Sequence, residues 1–306
     1  MAPIVVAGCC NDVRMTVIQI RRFEEVEAFL GAARPFLEAR EAEHNLLLSI
    51  CARLAGDTDS SGGDPPYLAV VERDGEVAAV ALRTPPFHLV LSMIDHPEVI
   101  GPLARRIHRD CGSLSGILGP TDAAGLFAAE WGALSEVSIE VELRERIFRA
   151  EQAIPPADVP GQLREARRDE RELLIAWIDA FAAEAVPPDM PREDSAAFVD
   201  RGFAAGRSGF YIWEHSEAVS LAGAIGQTRH GIRVGPVYTP PERRGAGYAS
   251  ALVAAVTQRA FDEGKRFCFL FTDLANPTSN RIYQRIGYRP VCDVDQYAFK
   301  DQRRAR

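Results

Sequence analysis

Val237-Tyr238-Thr239-Pro240-Pro241-Glu242-Arg243-Arg244-Gly245-Ala246-Gly247-Tyr248-Ala249 joins a short apolar strand ending at Thr239 to a long apolar helix. A strand that enters a helix through glycines leaves bare backbone amides at the positive helix terminus, which favours an anion. Arg244 adds charge beside the turn, Gly245 and Gly247 let the backbone approach a ligand, and Ala249 leaves room for it. A pyrophosphate fits such a cradle.

Further along, 267–271 (Phe-Cys-Phe-Leu-Phe) reads as a buried strand, and Asn276-Pro277-Thr278-Ser279-Asn280-Arg281-Ile282-Tyr283 as the helix after it. Gly287-Tyr288-Arg289-Pro290 then turns into the last strands. With these segments in order, the spacing Arg-x-x-Gly-x-Ala at 244, 247 and 249 resembles the acetyl-coenzyme A signature of the GNAT acetyltransferase family, over roughly residues 161–298. A dinucleotide fingerprint is the rival reading, because Gly245-x-Gly247 follows a strand and Asp273 ends the next one. Its third glycine is Ser250, however, and the run 240–244 is too long and too basic for the tight turn that fingerprint needs.

Acetyl transfer from a thioester to an amine needs an anchored carrier, a polarised carbonyl, a deprotonated amine and a proton for the departing thiolate. The backbone of Gly245, Ala246, Gly247, Tyr248 and Ala249, with Arg244, serves the first need. Val237, Tyr238 and Thr239 serve the second if a bulge or splay frees their amides. Asn276, Asn280 and Tyr283 fall at i, i+4 and i+7, so they share one helix face with Ser279 adjacent, while Ile282 and Ile286 pack the helix down. Asn276, Ser279 and Asn280 are therefore read as acetyl-CoA contacts. Tyr283, a phenol with a pKa near ~10, is read as the general acid, the role the resemblance also implies for it.

The base stays open between a water relay, His230 in a hairpin turn, and Glu214 or Glu217. Glu184, Asp189, Glu193, Asp194 and Asp200 cluster about the first two helices of the second half. They suit either an acidic mouth for a cationic amine or a solvated helix surface.

The chain of 306 residues, 47% hydrophobic and 25% charged, has material for about two globular domains. A net charge of −8 argues against nucleic acid and anionic membranes as partners. The six cysteines form no Cys-x-x-Cys pair and have no histidine at metal spacing, so no metal is expected; Cys268 within an apolar strand suits a reducing cytoplasm. Residues 1–14 lack a basic n-region and read as a disordered leader, and no run reaches the ~20 apolar residues of a membrane span.

Strand and helix patterns recur in the same order in both halves, with a strong Asp74-Gly75 hairpin in the first. The expected fold is α/β of the α+β kind: two GNAT-like domains at 15–150 and 161–306, each a mixed, mostly antiparallel sheet flanked by helices, with a linker at about 149–160. In the first half, Ser92-Met93-Ile94-Asp95-His96-Pro97-Glu98 places acids where a pyrophosphate would sit, so that half reads as a degenerate copy that buttresses the second. The implied activity is transfer of an acetyl group from acetyl-CoA to a primary amine of a small molecule or peptide by direct attack. The alternative is a non-catalytic acyl-CoA-binding or interaction protein, and the choice between monomer and homodimer stays open.

Overall fold

A computed structural model describes residues 4–6, 16–56, 64–204 and 209–301. The first half runs β1 (Ile4–Val6), β2 (Thr16–Phe23), α1 (Val26–Ala39), α2 (Asn45–Gly56), β3 (Tyr67–Arg73), β4 (Glu76–Arg83), β5 (Leu89–Leu91), α3 (Ile100–Cys111), β6 (Gly116–Pro120), α4 (Thr121–Leu134) and β7 (Val137–Ala150). The second half runs β8 (Gln162–Glu165), α5 (Arg171–Ala185), α6 (Ser195–Ala204), β9 (Phe210–His215), β10 (Glu217–Gln227), β11 (Gly231–Tyr238), α7 (Tyr248–Asp262), β12 (Phe267–Asp273), α8 (Pro277–Arg285) and β13 (Tyr288–Asp301). From β2 to β7 and from β8 to β13 the order of strands and helices is identical.

The chain divides into two compact units, Met1–Arg144 with Asp293–Arg306, and Glu145–Cys292. In the first, β1 to β5 pair antiparallel in sequence, β5 lies parallel to β6, and β6 pairs antiparallel with 294–298 of β13. Asp74 and Gly75 both take positive φ, which sets the twist of the β3–β4 hairpin. One sheet face buries Phe29, Leu37 and Leu47 of α1 and α2; the other buries Leu103, Ile107, Phe127 and Trp131 of α3 and α4 with Phe299 of the last strand.

In the second unit, residues 145–150 of β7 pair antiparallel with β12, β12 is parallel to β11, and β11, β10, β9 and β8 continue antiparallel. Helix α7 packs Leu252, Val253 and Val256 on Ile232, Val234, Cys268 and Leu270. Helices α5 and α6 pack Leu174, Ile178, Val199 and Phe203 on Ile212 and Leu221 of the opposite face.

These units depart from the boundaries 15–150 and 161–306 at both seams. Residues 145–150 hydrogen-bond along β12, and 294–298 along β6, so the last strand of each half ends within the unit built mostly from the opposite half of the sequence. Strand β7 accordingly runs to Ala150, past the start of the expected linker, and β13 spans 14 residues. The apolar stretch between β2 and β3 forms two helices, α1 and α2. His44 breaks it, its Nδ1 lying 3.0 Å from the Leu37 carbonyl and so capping α1. Of the expected disordered leader, Ile4–Val6 forms a short strand on β2, and the rest of 1–14 lies outside the described residues.

Candidate active site

Strand β11 is the element on which the site is built. It pairs with β12 only through Gly231, Ile232 and Arg233, opposite Phe267, Cys268 and Phe269. Beyond Arg233, β12 continues along β7 and β11 continues along β10, so the edges that β11 and β12 turn toward each other are left without ladder partners. The register with β10 steps from Ala222↔Val237 to Ala224↔Val234, which inserts one extra residue at Gly235–Pro236. This is a β-bulge just before Val237, while Val237 and Tyr238 stay in register with Ala222 and Leu221 of β10. A Cβ at Gly223 would lie 2.6 Å from the Gly235 carbonyl oxygen, so only glycine lets the two backbones meet there.

Past Thr239 the chain makes a short 3-10 turn, Pro241–Arg243, and enters α7 through Gly245 (φ +81°) and Gly247 (φ +82°). Both conformations are left-handed and suited to glycine. Gly247 is the N-cap and has no side chain to occupy the first-turn amides; the first helical bond runs from Ala251 N–H to the Gly247 carbonyl at 3.0 Å. Tyr248, Ala249 and Ser250 thus present N–H groups at the positive end of a 15-residue helix. Ala246 is exposed and Ala249 half-buried.

Arg244 donates from Nε to the Thr239 carbonyl at 2.9 Å and from Nη2 to both Glu184 oxygens at 2.8 Å. The hydrogen bond to Glu184 holds its pKa above the ordinary arginine value. Tyr238 is buried, its ring tilted against Trp177 at 6.2 Å on one side and lying 5.8 Å from the Arg244 guanidinium carbon on the other. Ser220, which the sequence reading did not single out, fixes this end of β11: its Oγ donates to the Tyr238 carbonyl at 3.1 Å and lies 2.8 Å from Thr239 Oγ1. Tyr248 Oη lies 2.7 Å from His215 Nδ1.

On α8 the polar stripe divides. Asn276 is the N-cap, accepting from the Ser279 N–H at 3.0 Å. Asn280 donates to the carbonyls of Asp273 (2.9 Å) and Asn276 (2.8 Å) and accepts from Thr272 Oγ1 at 2.6 Å. Both amides are engaged in holding α8 to the end of β12, and that places Tyr283. Its ring packs beside Tyr288 with centroids 6.1 Å apart, and burial pushes its pKa up to about 12. Among the described residues no hydrogen bond reaches its hydroxyl. Tyr288, by contrast, has its hydroxyl 2.7 Å from Thr257 Oγ1.

The candidate bases and the acidic cluster are committed elsewhere. Glu214 is ion-paired with Arg164 at 2.7 Å and Glu217 with Arg243, while His230 sits in the turn before β11. Glu184 binds Arg244, Glu193 binds Arg201, Asp200 binds Arg171, Asp194 caps α6 at the Ala197 N–H, and Asp189 has a partner of its own. The cluster is therefore largely neutralised and presents a weak field to a cation.

The corresponding turn of the first unit is closed by its own side chains. His44 Nε2 accepts the Met93 N–H at 3.0 Å, Arg40 grips Asp95 at 2.9 and 2.6 Å, and Arg73 binds Glu98 at 2.8 Å.

Residues 171–288 match the model of the acetyltransferase (GNAT) family. Among solved structures, a GCN5-related N-acetyltransferase from Sphaerobacter thermophilus aligns at 14% identity with a TM-score of 0.57, covering 92% of this chain and 94% of that one. A GNAT-family acetyltransferase from Colwellia psychrerythraea gives 12% identity and a TM-score of 0.54 over 92% of this chain and 100% of that one. A tandem GNAT protein from the clavulanic acid biosynthesis pathway gives 10% and 0.50, over 92% and 97%. At such identities the likeness is one of fold. No curated protein matches the sequence.

Proposed function

We propose that the protein transfers the acetyl group of acetyl-CoA to a primary amine; the match of residues 171–288 to the GNAT acetyltransferase family model and a fold like that of a tandem GNAT protein support this reading. The observation that carries this reading is the splay of β11 from β12 after Arg233, with a two-glycine helix cradle at one end and the unpartnered Tyr283 hydroxyl on the helix beyond.

The residues present fit the carrier. Gly245 and Gly247 hold the turn open at positive φ, and a Cβ at Gly247 would stand 3.0 Å from Val159 Cγ2. The amides of residues 247–250 and the guanidinium of Arg244 would hold the pyrophosphate. When bound, acetyl-CoA supplies a thioester that an amine can attack. The bulged segment 234–239 offers N–H groups to the pantetheine arm and the carbonyl oxygen. As the amine nitrogen bonds to the carbonyl carbon and the carbon–sulfur bond breaks, Tyr283 donates its proton to the leaving sulfur. The proton on the amine passes to water, since Glu214 and Glu217 are held by arginines.

The test is calorimetric titration with acetyl-CoA, followed by thiol release across a panel of amines. One molecule bound per chain and amine-dependent thiol release are expected. Binding without release from any amine would leave the acyl-CoA-binding reading instead.

A further inference from the structure

Arg233 stands where the β11–β12 pairing ends, opposite Phe269. Its neighbours Ile232 and Val234 face α7, so by strand alternation Arg233 projects from the other face, the one that carries α5 and α6. There its Cζ lies 6.0 Å from the centre of the Phe271 ring, at the outer limit of a cation–π contact. A guanidinium nitrogen lies 3.1 Å from where a Cβ on Gly226 would be, so the absence of a side chain at 226 makes room for it. The side chain is half-buried, and burial pulls its pKa below the usual arginine value, with the Glu145 carboxylate opposing that pull.

Five other arginines of this unit are ion-paired. Arg164 holds Glu170 and Glu214, Arg171 holds Asp200, Arg201 holds Glu193, Arg243 holds Glu217, and Arg259 holds Glu165. Among the described residues no hydrogen bond or ion pair reaches the guanidinium of Arg233. Glu145 acts on this half-buried cation through its field and makes no ion pair with it, so the guanidinium fork is left to match an oxyanion that arrives with a ligand.

We propose that Arg233 anchors an oxyanion, carboxylate or phosphate, carried by the acceptor, so that the acceptor is an amine bearing an acidic group. The inference rests on the acetyltransferase reading for the word acceptor, and on the position of Arg233 at the apex of the splay for its place beside the thioester. Phe271 offers the carbon skeleton of such a compound an apolar wall next to the charge. The acids about α5 and α6, by contrast, are already engaged, which removes the reason to expect a polycation.

The experiment uses the full chain and matched acceptors: free amino acids beside their amides, and O-phosphoethanolamine beside ethanolamine. With wild-type protein, kcat/KM for the charged member of a pair is expected to exceed that for the neutral member by at least about 30-fold, and the better pair identifies the oxyanion. Arg233→Gln should lower kcat/KM for the charged member by about 10²-fold through KM, leave the neutral member within about 3-fold, and leave the acetyl-CoA Kd unchanged; Arg233→Lys should restore part of the loss. Equal rates within every pair of wild-type acceptors overturn the proposal, and need no variant to fold. So does a loss confined to kcat or to acetyl-CoA affinity. Calorimetric titration with N-acetyl amino acids and N-acetyl amino amides separates this claim from the activity itself. Carboxylate-selective binding that disappears in Arg233→Gln supports the anchor even if no acceptor turns over. Turnover without charge preference retains the activity and removes the anchor.

Discussion

Replacing Tyr283 by phenylalanine separates catalysis from folding at this site. The ring packs against Tyr288 at 6.1 Å in the core under α7, and phenylalanine keeps that contact. No hydrogen bond reaches the Tyr283 hydroxyl among the described residues, so its removal should change folding stability by no more than about 0.5 kcal/mol. Loss of a proton donor should lower kcat by about 10²-fold or more, equivalent to ~2.7 kcal/mol of barrier. With its pKa raised by burial to about 12, Tyr283 stays protonated throughout an ordinary assay range. The variant should therefore lower the whole pH–rate curve between pH ~6 and ~10 without changing its shape. Tyr288→Phe is the matched control, because it deletes the buried bond to Thr257 (2.7 Å) and should cost about 1–3 kcal/mol of stability with little effect on kcat. The assay is thiol release at saturating acetyl-CoA under chemistry-limited conditions, beside thermal melting of each variant. Unchanged turnover in Tyr283→Phe, or a fall in Tm as large as that of Tyr288→Phe, would refute the reasoning.

Gly247→Ala places a Cβ at φ +82° and 3.0 Å from Val159 Cγ2; strain of about 1–2 kcal/mol should weaken acetyl-CoA binding roughly 5- to 30-fold by calorimetry. Glu184→Gln removes the charge that competes for Arg244 and should tighten acetyl-CoA binding by at most about 5-fold, since the pair is half-exposed, with the difference shrinking at high salt. His44 is buried and neutral, its pKa lowered mainly by burial to about 4. The unfolded chain takes up this proton near pH ~6.5 and the folded one only near 4, so stability is lost as pH falls through that window, by up to roughly 3 kcal/mol. Denaturant melts from pH 7 to 4 should show that slope in wild type and a flatter one in His44→Gln.

Much of the fold was legible because its signals are local. The Asp74-Gly75 turn, the alternation of β3 and β4, the apolar run of β12 and the glycines before α7 each act within a few residues, where backbone sterics and hydrogen bonding leave little choice. The dipeptide Gly235-Pro236 inside a strand is a local bulge signal as well. Tyr283 could be picked out because helical spacing fixes which residues share a face.

Partners distant in sequence were decided only by the tertiary structure. Which strand covers the edge of β12 depends on residues 145–150 meeting 268–273 across more than a hundred positions, and no local pattern encodes that pairing. The same is true of charge. Glu184, Glu193 and Asp200 read as an acidic mouth until Arg244, Arg201 and Arg171 fold against them, and Asn280 reads as a ligand contact until the carbonyls of Asp273 and Asn276 take its amide. Arg233 is the converse case: an ordinary arginine in a strand becomes conspicuous only when folding buries it and brings no acid within hydrogen-bonding reach among the described residues. Sequence sets what each residue can bond; the fold decides which of those bonds are already made, and so which groups remain for a ligand.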